Sequence, residues 1–234
     1  MANSIEPILA TVPSEADARM STIEFSGPDR VRFSGNRFAA WLLKTIGWRL
    51  QFEGLPARQG VLVIYPHTSN WDFVTLLLAK WAIGISVCFW AKDRLFLVPV
   101  FRRWLRWLGG IPVNRTSARG VVGNAVDQFR QSRAQGRYFW LALAPEGTRK
   151  RIAGWRSGFY QTAIGAGVPL GLVRLDYGRR EVRALDFVFL TGNEIEDFER
   201  IAAVYDGVRA YIPKNAAPIR LLDRSVPRSE TIVK

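Results

Sequence analysis

Short apolar runs alternate with segments of helical period along most of this chain, and that alternation restricts the fold more than any other feature. Residues 61–65, 86–91, 110–113, 138–144, 168–177 and 182–190 read as strands. Residues 71–83, 100–108, 118–135, 157–167 and 194–211 read as helices between or after them. Strands that continue without polar alternation, such as Val61-Leu62-Val63-Ile64-Tyr65, are typical of parallel strands buried on both faces. The fold class expected is α/β, a mostly parallel mixed sheet covered by helices. The mixed character comes from the last two strands, joined at Gly178-Arg179-Arg180 as in a hairpin. An earlier helix, 36–50, carries Trp41 and Trp48 among Arg37, Lys44 and Arg49, a pattern suited to a membrane surface. The domain layout is then a mobile polar N-terminal segment at 1–35, a folded domain at 36–212 and a basic C-terminal tail at 213–234.

Charge narrows the partners. The formal net charge is +13, yet residues 1–30 are net acidic, so the remainder is more basic than the total implies. Between residues 92 and 151 there are thirteen basic and three acidic side chains. Such a field attracts anionic partners. In Arg102-Arg103-Trp104-Leu105-Arg106-Trp107, tryptophan stands beside arginine, as at a membrane interface. The same pairing occurs in single-strand nucleic-acid grooves, but no RNP, KH or zinc pattern accompanies it, so no nucleic acid is expected. The longest apolar stretch, 73–91, is interrupted by Lys80 and Gly84 and reads as helix then strand, not as a membrane span. No signal peptide is apparent. The single cysteine, Cys88, excludes an internal disulfide and fits a reducing compartment.

The chain holds one histidine. His67 follows the apolar run 61–65 and precedes the helix 71–83, so it stands at the end of a strand, where open α/β sheets bind ligands. Asp72 lies five positions later. An imidazole paired with a carboxylate is a general base that works near neutral pH. Ser69-Asn70-Trp71-Asp72 equally matches a helix capping pattern, in which Asp72 only satisfies backbone N–H groups. A second segment, Pro145-Glu146-Gly147-Thr148-Arg149, also ends an apolar strand. Gly147 permits a tight turn. Thr148 offers a hydroxyl, and Arg149 a planar fork suited to a phosphate monoester. Glu146 either fixes Arg149 or accepts from a substrate hydroxyl. A third segment, Gly109-Gly110-Ile111-Pro112-Val113-Asn114-Arg115, again ends a short strand with an arginine.

In this order the three segments resemble the glycerolipid acyltransferase family, which includes the 1-acylglycerol-3-phosphate acyltransferases. His67, Ser69 and Asp72 match its His-x4-Asp motif, Arg115 the close of its second block, Glu146-Gly147-Thr148-Arg149 its third, and Val168-Pro169-Leu170 the start of its fourth. Pro66 and Leu172 depart from residues common in the family. The resemblance implies transfer of a fatty acyl group from acyl-CoA or acyl-carrier protein to the hydroxyl of a lysophospholipid. His67 would be the general base and Asp72 its partner. Arg115, Glu146, Gly147, Thr148 and Arg149 would bind the acceptor. No cofactor or metal is implied beyond the thioester donor.

The expected partners are therefore a lysolipid, an acyl thioester and an anionic membrane surface, with the protein peripheral on the cytoplasmic side. Oligomeric state is not legible. Two other classes compete. A thioesterase or serine hydrolase would need a nucleophile, but no Gly-x-Ser-x-Gly elbow occurs. A non-catalytic basic lipid- or nucleic-acid-binding module would explain the charge and tryptophans but not the ordered motifs.

Overall fold

The computed structural model describes residues 31, 33–92, 96–113 and 120–222. Seven strands form one sheet: β1 (Arg49–Phe52), β2 (Gln59–Tyr65), β3 (Cys88–Lys92), β4 (Gly110–Val113), β5 (Phe139–Leu143), β6 (Leu170–Asp176) and β7 (Glu181–Val188). Their spatial order is β1-β7-β6-β2-β5-β3-β4. Every neighbouring pair is parallel except β6 and β7, the hairpin. The helices are α1 (Arg37–Thr45), α2 (Asn70–Ile83), α3 (Pro99–Trp107), α4 (Gly120–Ala134), α5 (Gly158–Ala166) and α6 (Glu194–Val204). The mostly parallel mixed sheet expected from the alternation is the sheet observed.

The central strand β2 explains why its sequence is apolar throughout. Val61, Val63 and Tyr65 enter a core with Phe129 of α4, Phe159 and Tyr160 of α5, and Ile201 of α6. Leu62 and Ile64 enter a second core with Leu43 of α1, Ala79 of α2 and Trp140 of β5. A period of two along the strand divides its side chains between two covered faces. Gly60 is required by this packing, because a Cβ there would lie 2.3 Å from the fully buried Trp140 ring.

Lys80, the charge inside the longest apolar stretch, is half-buried. Its ammonium donates to the carbonyls of Val87 and Leu108, which ties α2 to the segments entering β3 and β4. Among the described residues no helix is long and apolar enough to cross a membrane.

Three boundaries differ from the sequence reading by more than two residues. The helix expected over 36–50 stops at Thr45, and Arg49–Phe52 is instead the edge strand β1. Gly47, at φ +80°, reverses the chain there. Trp48 is consequently not a surface anchor. It packs edge-on against Tyr177 at 4.9 Å, beside the second core. The last helix ends at Val204, because Tyr205 turns inward and its hydroxyl donates to the Val63 carbonyl at 2.8 Å. Residues 213–222, read as the start of a tail, run back across the sheet's end. Ala217 is buried, and Leu221 forms a bridge to Trp155. The segments 1–30 and 223–234 lie outside the described residues.

Candidate active site

Parallel pairing aligns the ends of β2 and β5, with Val63 opposite Leu143. The loops that leave these strands therefore emerge side by side, one bearing His67 and the other Glu146 to Arg149. This is the carboxyl end of the sheet, where crevices form. The fourth motif, Val168-Pro169-Leu170, is at the other end. Leu170 pairs with Val61 and the Pro169 carbonyl accepts from the Val61 N–H, so this segment anchors β6 and does not reach His67.

Asp72 occupies two roles in the geometry. It is the third residue of α2, in a capping box with Ser69. Its Oδ2 accepts from the N–H groups of Thr68 and Ser69 at 2.6 and 2.7 Å. The same oxygen lies 3.5 Å from His67 Nδ1. That separation is an ion-pair distance and too long for a good hydrogen bond, and His67 Nδ1 has no hydrogen-bond partner. The cap and the His–Asp pairing thus share one carboxylate. The other oxygen, Oδ1, is buried without a hydrogen bond, as is the hydroxyl of Tyr177. Burial, then the nearby Asp72 carboxylate, pushes the Tyr177 phenol up.

Burial dominates the electrostatics of His67. Desolvation holds its pKa below the ordinary 6.5; Asp72 works against this and the Arg149 charge reinforces it. The imidazole is therefore neutral at neutral pH.

Glu146 is almost fully buried, and both its oxygens are engaged. Oε2 accepts from the His67 N–H at 2.7 Å and Oε1 from the Ala217 N–H at 3.0 Å. The pairing with the Arg149 guanidinium that the sequence allowed is not among its contacts. Burial pushes its carboxyl up to about 7, although both N–H bonds oppose the shift. Gly147 sits at φ +61°, and a Cβ there would lie 3.0 Å from Arg156 Nε. Both facts favour glycine at this turn. The hydroxyl of Thr148 accepts from the Lys150 N–H at 3.3 Å. Arg149 is exposed, and its carbonyl accepts from the Asn215 side chain at 3.0 Å. Arg115 lies outside the described residues.

Sequence reasoning missed Thr68, Tyr177, Asn215 and Ala217. Ala217 acts through its backbone, which no motif reveals. Tyr177 and Asn215 reach the site from more than a hundred positions after His67.

Away from the loops, at the C-terminal end of α2, the surface is aromatic and cationic. Trp41, Trp104 and Trp107 are exposed by 58%, 44% and 70%, and Leu97 and Val100 by 79% each. Phe38 stacks on Trp41, the Asn36 N–H before them donates to the Trp81 carbonyl, and Trp81 meets Trp107 at 5.8 Å. Aromatic residues thus run from α1 past the end of α2 to α3.

The Acyltransferase family model matches residues 49–171, more than half of the chain, and the chain belongs to that family. The match spans β1 to the start of β6 and contains both motif loops. Among solved structures, the 1-acyl-sn-glycerophosphate (LPA) acyltransferase PlsC from Thermotoga maritima is similar at 20% identity, over 71% of this chain and 73% of that chain, with a TM-score of 0.46. No curated protein matches.

Proposed function

We propose that this acyltransferase moves a fatty acyl group from acyl-CoA or acyl-carrier protein to the hydroxyl of a lysophospholipid such as 1-acylglycerol-3-phosphate. The observation that carries the reading is His67, the only imidazole. It is neutral through burial, fixed at a strand end, and has its Nδ1 edge toward Asp72. With the Nδ1 proton facing that carboxylate, Nε2 keeps a lone pair. The acceptor hydroxyl gives its proton to Nε2 while its oxygen attacks the thioester carbonyl. Asp72 stabilises the imidazolium that results. The tetrahedral intermediate collapses, the carbon–sulfur bond breaks, and the proton returns from Nε2 to the departing thiolate. An ester and a free thiol remain, and His67 is neutral again.

Arg149, exposed on the neighbouring loop and close enough for its charge to act on His67, is the candidate ligand for the acceptor's phosphate, with Arg115 as the second that the motif implies. Acyl transfer by the purified protein is to be assayed on lysolipids with and without a phosphate, using both donors. Arg149→Ala should raise the KM of a phosphate-bearing acceptor about tenfold, the value of one lost charge-assisted contact, with a smaller effect on the donor. Equal loss with a phosphate-free acceptor would show that Arg149 serves the donor or the fold.

The acceptor lives in a bilayer, and the aromatic row with Arg102, Arg103 and Arg106 supports attachment to an anionic surface. Each basic residue near such a surface contributes about 1 kcal/mol. Replacing the three arginines by glutamine should weaken co-sedimentation with anionic vesicles at least tenfold, and added salt should weaken the wild type. Absence of co-sedimentation at low salt would sink the attachment.

A further inference from the structure

Beyond α6 the chain returns across the carboxyl end of the sheet and touches both motif loops within a few residues. The Ile212 N–H donates to Thr68 Oγ1 at 3.1 Å, in the histidine loop. The Lys214 carbonyl accepts from Arg151 at 3.4 Å, and the Asn215 side chain donates to the Arg149 carbonyl at 3.0 Å, in the other loop. The Ala217 N–H then donates to Glu146, whose second oxygen holds the His67 N–H. The Ala217 carbonyl accepts from the Tyr65 hydroxyl at 2.8 Å, two residues before His67. The segment is itself tied down. Trp155, fully buried, donates its backbone N–H to the Arg220 carbonyl at 2.7 Å and accepts at its own carbonyl from the Leu222 N–H at 2.8 Å. Thr68 and Ala217 are nearly inaccessible to water. Buried hydrogen bonds of this kind are costly to leave unmade, so the segment has little freedom to lift from one loop alone.

We infer that residues 212–217 form a strap that sets the spacing between the base and the acceptor-facing arginine, with Thr68 and Asn215 as positioning residues of the transfer. The inference rests on the roles given above to His67 and Arg149. A displacement of about 1 Å at such a site is enough to cost on the order of a hundredfold in rate. Thr68 is the strap's contact with the base, and Asn215 its contact with the arginine loop.

The test combines kinetics with amide hydrogen exchange on the full chain. Thr68→Val, which keeps shape but removes the acceptor oxygen, should lower kcat about tenfold with little change in acceptor KM, and Thr68→Ser should restore it to within twofold. Asn215→Ala should raise acceptor KM about fivefold, more than it lowers kcat. The strap's own signature is crossed. Thr68→Val should speed exchange in residues 145–151, and Asn215→Ala in residues 66–72, each by more than the variant's loss of global stability accounts for. Should Thr68→Val fail to fold, Asn215→Ala, at a half-buried position, carries the test alone. Exchange changes confined to the substituted residue's own loop, or kcat and KM within twofold of wild type for both variants, would overturn the strap. A wild-type protein inactive on every lysolipid would overturn the catalytic reading instead, and the crossed exchange would still decide the strap.

Discussion

Replacing His67 by alanine is expected to lower kcat at least a hundredfold, with the fold and vesicle binding retained. General-base catalysis contributes about a hundredfold to ten-thousandfold, and no second imidazole exists to substitute. The ring itself makes no hydrogen bond at Nδ1, so its loss leaves no strong side-chain contact broken. Retention of more than about a tenth of wild-type kcat would remove His67 from the chemistry. Asp72→Asn separates from this result by carrying two signatures. It should lower kcat, because the imidazolium loses its carboxylate, and lower thermal stability, because an amide oxygen replaces an ionised cap over the Thr68 and Ser69 N–H groups. The cap alone is worth about 1 kcal/mol. A variant that loses stability but keeps its rate would reduce Asp72 to a helix cap.

The second large effect concerns Glu146 and pH. Its carboxyl, pushed up to about 7 from 4.5, takes its proton in the native state before it does so in the unfolded chain. Between those values the native state holds the extra proton, so this group lowers stability as pH rises from about 4.5 to about 7. His67 acts in the opposite sense. Its native pKa lies below 6.5, so stability falls as pH drops beneath that value, when the unfolded chain takes up a proton first. For catalysis the ionised form of Glu146 matters, since only a carboxylate accepts freely at both oxygens. The expected profile of kcat/KM therefore begins to fall near pH 7, above the range in which His67, held below 6.5, takes up its own proton. Glu146→Gln should flatten that limb at a lower rate. It should also cost about 1–3 kcal/mol, because one buried N–H then faces an amide nitrogen. An inflection near 7 that persists in the glutamine variant would belong to another group.

Elements that announce themselves locally were legible in the sequence. β2 and β5 are continuous apolar runs closed by proline, and α2 carries its own capping box within four residues. β1 was not legible, because Arg49–Phe52 is a strand only by pairing with β7, from Arg49 against Glu181 onward. Four residues contain too few apolar positions to reveal such a distant partner, and the preceding helical period ran over the first two of them. The site divides in the same way. His67 and Asp72 stand five positions apart in the chain and could be paired on paper. The second anchor of Glu146 is a backbone N–H at Ala217, and nearly every residue carries one. Arg149 was singled out for its guanidinium, yet what fixes its loop is a carbonyl held by Asn215. Specificity that resides in the main chain leaves no mark on residue type.

The sharing of one carboxylate between a helix start and a histidine bears on how variant libraries of this protein would be read. A screen for cellular abundance should flag Asp72 as a folding residue and pass over His67, whose Nδ1 makes no hydrogen bond. A screen for growth dependent on the product would flag both. Only the difference between the two maps separates the pair, and Asp72 would stand in both columns with no contradiction between them.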